Sequence, residues 1–572
     1  MRLGAAGNCC IIERDVRAPL VNSPNPALVS QREAQPLPRV ALLLFCAAYV
    51  LPGLVGRDPW RSADITAFGY IANIASGRTG WFAPTVGGLS ADGALLPYWL
   101  GAVFVKLTSP WLDPTIAARL PFALLLVATL ALTWYAAYHL ARSESAQPLP
   151  FAFGGEAAPV DYARAIADGA LLALIASLGL LQLGHETTPE LAQLAAVSLF
   201  LYGVAAAAHR PWLGPLAAAA ALPALAASGA PSIALLLAAI AGAMAFAARL
   251  EQRRRLVVGL AVGAALAAAA GAALAAWANR IGRFESPAQL LGMARAIAWF
   301  AWPAWLLALW TLWQWRRRLL SAHLAMPLGC TAALLGVWLA MAGELRALML
   351  ALPPLAVLAA FALPTLQRST AAAIDWFSLF FFSIAAATVW LFYLAIQTGV
   401  PAKLDANIAK LSPGYTQEFS ALALACAVAG TLAWLWLVRW RSGRSRHPLW
   451  KSLVLPAGGV SLCWLLVMTL LLPPLDNARS YRSMVQRIAR LVPPGACVSA
   501  PGMTRAQVVA LEHFGRYRVD AVTPLRAARC DVLLLANATA TPGEPWQLLG
   551  RERRIRKDDD VTDIYRRVRP VP

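Results

Sequence analysis

The stretch RRRLVVGLAVGAALAAAAGAALAAW, residues 253–277, sets three arginines ahead of 22 positions that carry no charge. A helix rises about 1.5 Å per residue, so about 20 apolar residues cross the hydrocarbon of a bilayer, where every backbone N–H and C=O must be bonded within the helix itself. A helix packed on a soluble core would keep a polar stripe on its far side. This run has none, and it reads as a membrane span with its basic end held at one surface.

Working outward, the same test finds thirteen windows, near residues 40–56, 115–141, 165–184, 189–208, 213–229, 231–249, 256–277, 297–315, 324–342, 346–364, 375–398, 420–439 and 453–473. They account for a chain of 572 residues that is 59% hydrophobic and 14% charged, with a mean hydropathy of +0.58, more apolar surface than a water-soluble globule hides. A net charge of +20 would suit a nucleic-acid binder. Its 49 Lys and Arg, however, fall in short clusters between apolar runs, such as Arg316-Arg317-Arg318, with no long basic stripe. The charge reads as topology, and the expected fold class is a polytopic α-helical membrane protein of about thirteen spans.

With the N-terminus inside, the cytoplasmic connections carry Arg142, Arg164, Arg210, the Arg249 to Arg255 cluster, Arg316 to Arg318, Arg368 and the group from Arg439 to Lys451, and are richer in cations per residue than the opposite loops. An odd number of spans then places the C-terminus outside, on the periplasmic face of a bacterial inner membrane. Residues 1–39 read as a flexible cytoplasmic tail, 40–475 as the membrane domain with an amphipathic first periplasmic loop at 57–114, and 476–572 as a small periplasmic α/β domain. Within that last piece, helices are expected at 481–491 and 505–514 and strands at 496–500 and 531–535. Cys46, Cys330, Cys426 and Cys463 fall in spans as small apolar residues. Cys497 and Cys530 open the two expected strands, where a disulfide and a pair of buried thiols both fit.

Soluble-enzyme signatures are missing: no Walker loop, no dinucleotide glycine fingerprint, and in His185-Glu186-Thr187-Thr188-Pro189-Glu190 no second histidine to complete a zinc motif. The loop at 57–114 is too long for a plain connection. From Ser62 to Ser76 it has helical period, with Asp64, Phe68, Ile71 and Ala75 on one stripe. Asp64 has two readings, a helix-start carboxylate or partner of Arg61, and a catalytic base held at the membrane surface. Trp60, Trp81, Tyr98, Trp99 and Trp111 supply rings suited to the interface.

Several motifs, in order, resemble the lipid A aminoarabinose transferase and protein O-mannosyltransferase family. They are Asp64-Ile65-Thr66-Ala67-Phe68-Gly69-Tyr70-Ile71, Thr79-Gly80-Trp81-Phe82-Ala83-Pro84, Gly87-Gly88, Tyr98-Trp99-Leu100, Ala117-Ala118-Arg119-Leu120-Pro121, and Leu348-Met349-Leu350-Ala351-Leu352-Pro353-Pro354-Leu355. The resemblance implies a GT-C glycosyltransferase that takes a sugar from a polyprenyl-phosphate donor and gives it to a lipid A-like or protein acceptor outside the cytoplasm. It implies Asp64 as base, Glu190 as second acid with Glu186 behind it, and Arg346 on the donor phosphate. Arg57, Arg61, Arg280, Arg283 and Lys106 are further phosphate contacts, and Phe68, Tyr70, Trp81, Tyr98, Trp99 and His185 the substrate-pocket residues. No metal or other cofactor is assigned, and the chain is expected to act as a monomer. The chain departs from the family at Ile65, where an acid is usual, and at Ala91 to Pro97, where a Glu-Lys-Pro-Pro element is replaced. A second class, a membrane transporter or flippase of a lipid-linked sugar, would favour internal repeats and mid-membrane charges, which the sequence lacks.

Overall fold

A computed structural model describes residues 26–247, 253–274, 276–277, 281–284, 286–411, 415–442, 448–537, 542–554 and 561–568. In chain order the first helices are α1 (Arg39–Val50), α2 (Ala63–Ala75), α3 (Leu95–Thr108), α4 (Pro114–Ala141), α5 (Pro159–Ala176), α6 (Leu178–Leu183), α7 (Pro189–Ala206), α8 (Leu213–Ala227), α9 (Pro231–Ala247), α10 (Arg253–Ala273) and α11 (Pro287–Phe300). Then come α12 (Ala304–Gln314), α13 (Ala322–Ala340), α14 (Leu345–Met349), α15 (Leu352–Ala360), α16 (Arg368–Thr398), α17 (Ala402–Leu411), α18 (Ala421–Ser442), α19 (Lys451–Leu470), α20 (Leu472–Arg479), α21 (Arg482–Ile488) and α22 (Arg505–Phe514). A two-stranded hairpin, β1 (Thr85–Val86) and β2 (Leu89–Ser90), lies in the first loop. The C-terminal sheet holds β3 (Cys497–Ser499), β4 (Arg518–Asp520), β5 (Val532–Ala536), β6 (Trp546–Arg553) and β7 (Val561–Arg567) in the order β4-β3-β5-β7-β6.

The protein is a multi-pass membrane protein. Among the described residues, eight helices are long and apolar enough to cross a bilayer, the combined Leu345–Thr365 run counting as one. Five of the thirteen windows fall short of a straight span. That at 297–315 is a pair, α11 and α12, bent by 89° where Pro303 removes an N–H from the ladder. Those at 40–56, 213–229 and 231–249 are shorter apolar helices, and that at 165–184 begins as α5, which carries Asp161, Arg164 and Asp168 and is broken from α6 at Ser177. The core lies where α5 and α15 are buried along almost every residue against α4, α7 and α19. Outer helices such as α16 and α18 keep Phe380, Ile384, Leu432 and Leu435 exposed, as lipid-facing positions do.

Part of the stretch expected as a flexible tail is packed against the rest of the protein. Residues 1–25 lie outside the described ones, but Ala27, Val29 and Ala34 are fully buried and Ser30 bridges Glu156. The C-terminal helices and strands expected from sequence are found as α21, β3, α22 and β5, and β4, β6 and β7 complete the sheet. Cys497 and Cys530 are joined in a disulfide. Helix α22, closed at its start by a Thr504/Gln507 capping box, packs on α2 and couples this sheet to the first loop.

Candidate functional site

Asp64 lies in the first turn of α2, where the helix dipole favours an anion. Its side chain is 1% exposed and fully bonded: Oδ2 accepts from Arg57 Nη1 at 2.9 Å and the Trp60 N–H at 3.0 Å, and Oδ1 from the Thr187 N–H at 2.8 Å and Thr187 Oγ1 at 2.5 Å. Burial would raise its pKa, but Arg57, Arg119 and Thr187 outweigh it and hold the carboxyl at about 2. A base works best with a pKa near the operating pH and a lone pair open to the substrate. Asp64 has neither. With no ligand present the carboxylate ties the first loop to the 185–188 turn.

Arg57 completes that tie. Its Nε donates to the Gly53 carbonyl at 2.8 Å and its Nη2 to the His185 carbonyl at 2.5 Å, while its own carbonyl accepts from Arg119 Nη1 at 2.8 Å. A void of about 10 Å³, roughly the room for one water, lies beside the unpartnered Arg119 Nη2 and His185. The Trp60 ring carries both the Arg57 guanidinium at 4.7 Å and that of Arg479 at 5.0 Å, and its indole N–H donates to Asp476 at 2.8 Å. Asp58 is gripped by both nitrogens of the Arg482 fork and by Ser480, which overcome the opposing effect of burial and lower its pKa.

The open polar groups are one turn further on. Pro189 starts α7 at a position suited to proline, and Glu190 follows in its first turn. Glu186, 3% exposed, accepts from Arg346 Nη2 at 2.6 Å and from Gln182 at 2.9 Å. Arg346 Nη1 and Glu190 Oε2 are both buried and without a hydrogen-bond partner among the described residues, and Glu190 lies within electrostatic reach of Arg346. An unpartnered donor and an unpartnered acceptor thus lie beside a buried ion pair. Burial, opposed by Glu186 and reinforced by Arg61, Arg57 and Arg554, pushes the Arg479 guanidinium below its ordinary value. Crowded guanidinia of this kind create a positive potential that suits an anion.

The structure thus brings together Arg57, Arg61, Asp64, His185, Glu186, Glu190 and Arg346, drawn from three separate stretches. Arg61 is exposed and its N–H donates to the Arg479 carbonyl at 3.2 Å. His185 is turned into the scaffold, its ring nitrogens 2.7 and 2.8 Å from the Leu181 and Tyr49 carbonyls. The other expected residues do not join one pocket. Lys106 is exposed on α3, its ammonium over the Trp81 ring at 5.1 Å. Trp99 donates to the Trp81 carbonyl, Tyr70 packs on Tyr98 and bonds the Ser90 carbonyl, and Phe68 meets His513 of α22. These aromatics are spent on packing the first loop. Arg283 is exposed on a segment joined to Ala340 through Gly282, and Arg280 lies outside the described residues.

Sequence reasoning missed Thr187, Arg119, Asp476 and Arg479. Arg119 stood inside a quoted motif, and Arg479 closes α20 just past Leu472-Pro473-Pro474, yet nothing local says that either turns back to residue 57. Among the described residues no group of three or more His, Cys, Asp or Glu is arranged to hold a metal ion. A cleft of about 350 Å³ lies elsewhere, between α1, α18 and α19, lined by Trp434, Trp436, Trp440 and Trp450 among other apolar groups, with Ser461 also in its wall.

No family model matches the sequence, and no curated protein matches it closely enough to count. Solved structures do. ArnT from Cupriavidus metallidurans in the apo state superposes with a TM-score of 0.60 at 15% identity, over 92% of this chain and 96% of that one. The same protein bound to undecaprenyl phosphate gives 0.59 at 14% identity with the same coverage. At that identity the likeness speaks for the fold: this chain has the GT-C fold that the ordered motifs resembled, built on an ArnT-like plan almost end to end.

Proposed function

We propose that the chain is a glycosyltransferase that moves a sugar from a polyprenyl-phosphate carrier to an acceptor at the outer face of a bacterial inner membrane. The observation that carries this is the unpartnered Arg346 Nη1 and Glu190 Oε2 beside the Arg346–Glu186 ion pair, whose Glu186 is coupled electrostatically to Arg479 and through it to Arg61, Arg57 and Arg554. An ArnT structure of the same fold binds undecaprenyl phosphate, which is consistent with an isoprenoid phosphate as donor carrier.

In this reading Arg346 and Arg479 hold the donor phosphate, with Arg61 at the mouth. Glu190 takes the proton of the acceptor hydroxyl or amine as its heteroatom attacks the anomeric carbon. The bond from that carbon to the phosphate oxygen breaks, configuration inverts, and the departing charge is met by guanidinia already in place. Asp64 touches none of the reacting atoms. It is a positioning residue that fixes Arg57 and the turn leading into Glu186 and Glu190. The sugar is a hexose or pentose, and the acceptor a lipid A-like glycolipid or a protein.

The test is to supply purified protein in vesicles with a polyprenyl-phosphate sugar and envelope acceptors. Sugar-loaded acceptor together with free polyprenyl phosphate, both seen by mass spectrometry, supports transfer. Intact donor equilibrated between leaflets with no new glycoside would identify a flippase instead.

A further inference from the structure

We infer that the cleft between α1, α18 and α19 seats an acyl chain of an anionic phospholipid, with the headgroup held at the cleft's basic end. This does not rest on the sugar-transfer reading. Leu44 and Ala48 of α1, Ala433 and Trp436 of α18, and Val454 and Leu465 of α19 are among the residues that line it. Leu44 and Trp436 are 64% and 65% exposed, so the cleft opens sideways, where a membrane puts its lipid tails. Along α18 the lining runs from Trp440 to Gly430, a rise of about 15 Å, and one leaflet of a hydrocarbon core about 30 Å thick has that depth.

The shape suits a flexible chain better than another helix. A Cβ added at Gly430 would lie 2.4 Å from Leu465 Cδ2, and one at Gly458 2.6 Å from Leu437 Cδ2. These glycines close α18 against α19. Trp436 stands out of the remaining wall, where a packed membrane helix would call for small residues.

The charge at one end selects the headgroup. There Trp436, Trp440 and Trp450 stack in a row, with successive ring planes 15° and 9° apart. The Trp450 indole donates to the Gln35 carbonyl, whereas those of Trp436 and Trp440 make no hydrogen bond among the described residues. Lys451 lies on the lining stripe of α19 with Val454 and Gly458, and its ammonium stands over the Trp440 ring at 5.0 Å. Asp375 of α16 is the acid within electrostatic reach of Lys451, and it already pairs with Arg441, whose Nε donates to it at 3.2 Å. Two cations thus share one carboxylate, and the exposed Arg439, one turn from Trp436, adds a third. Glu33, drawn to this end by the Leu449 N–H on its carbonyl, turns its carboxylate to Ser30. Surplus cations beside indole donors at the membrane surface favour a headgroup with a net negative charge over a zwitterion.

The experiment titrates full-length protein in detergent with phosphatidylglycerol and with phosphatidylethanolamine of the same acyl chains, and counts bound lipid by native mass spectrometry. Wild type is expected to hold one phosphatidylglycerol at least about tenfold more tightly than phosphatidylethanolamine. R439Q/K451Q, which leaves Asp375 paired with Arg441, should bring the two lipids to one affinity. A433F, which fills the cleft from an exposed position, should weaken both by about tenfold. Each variant should keep the wild-type melting temperature in lipid-free detergent. Equal affinity of wild type for the two phospholipids, binding untouched by A433F, or displacement of phosphatidylglycerol by an equal concentration of polyprenyl phosphate would each overturn the assignment. The wild-type comparison needs no variant, so it decides the matter even where a substitution unfolds the protein.

Discussion

Glu190 and Asp64 are both carboxylates in first helical turns, and the proposed function gives them different work. Glu190→Gln removes the open oxygen and keeps the shape, so transfer is expected to fall by about 100-fold or more while thermal stability stays put. Asp64→Asn leaves Arg57 buried without its counter-charge, which costs about 3 to 5 kcal/mol, so stability and activity should fall together. Acid titration separates the two further. The Asp64 carboxyl is depressed from 3.8 to about 2 in the folded state, so its stabilisation is present above pH 4 and is lost as pH falls toward 2. The melting temperature of wild type should therefore drop more over that window than that of Asp64→Asn; parallel curves would contradict that stabilisation. Sequence made residue 64 visible through the helical stripe it shares with Phe68, Ile71 and Ala75, and the 185–190 turn through its resemblance to a family site for a second acid. It could not reveal that Thr187 bonds Asp64, since that partnership spans 123 residues and depends on packing alone.

Helix α2 owes its position to a close crossing with α22. A Cβ added at Gly69 would sit 2.2 Å from Val509 Cγ2, inside any real contact distance. Gly69→Ala is expected to destabilise the protein by about 1 to 3 kcal/mol, and Val509→Ala in the same chain to restore most of it. Thermal melts of the two singles and the double check this; additive losses would mean that the two helices do not bear on each other. The helix was legible from its stripe, and its partner α22 from its own apolar period. Strands β4, β6 and β7 were not legible. Sequences such as Trp546-Gln547-Leu548-Leu549-Gly550-Arg551-Glu552-Arg553 are too polar to read as strands, and they hold because β7 is buried between β5 and β6. The kink at Pro303 was likewise hidden, because hydropathy counts apolar residues and not the direction of the chain.

For the molecule as a whole, composition and span length were enough to give the fold class, while short helices and one bent pair blurred the count. Orientation rests on the distribution of arginines. A C-terminal alkaline phosphatase fusion, which is active only outside the cytoplasm, is expected to be active, and the matching fluorescent-protein fusion dark; the reverse would invert the topology. The central claim is that the guanidinia around the Arg346 and Glu186 pair receive an isoprenoid phosphate. Its most direct test is equilibrium binding of a short-chain polyprenyl phosphate to purified wild type and to Arg479→Gln, whose guanidinium stacks on Trp60 and is half-buried. Tight binding to wild type and a loss of about tenfold in the variant, with its melting temperature unchanged, is the expected result. Equal affinity in both proteins, or no phosphate-dependent binding to either, would contradict it.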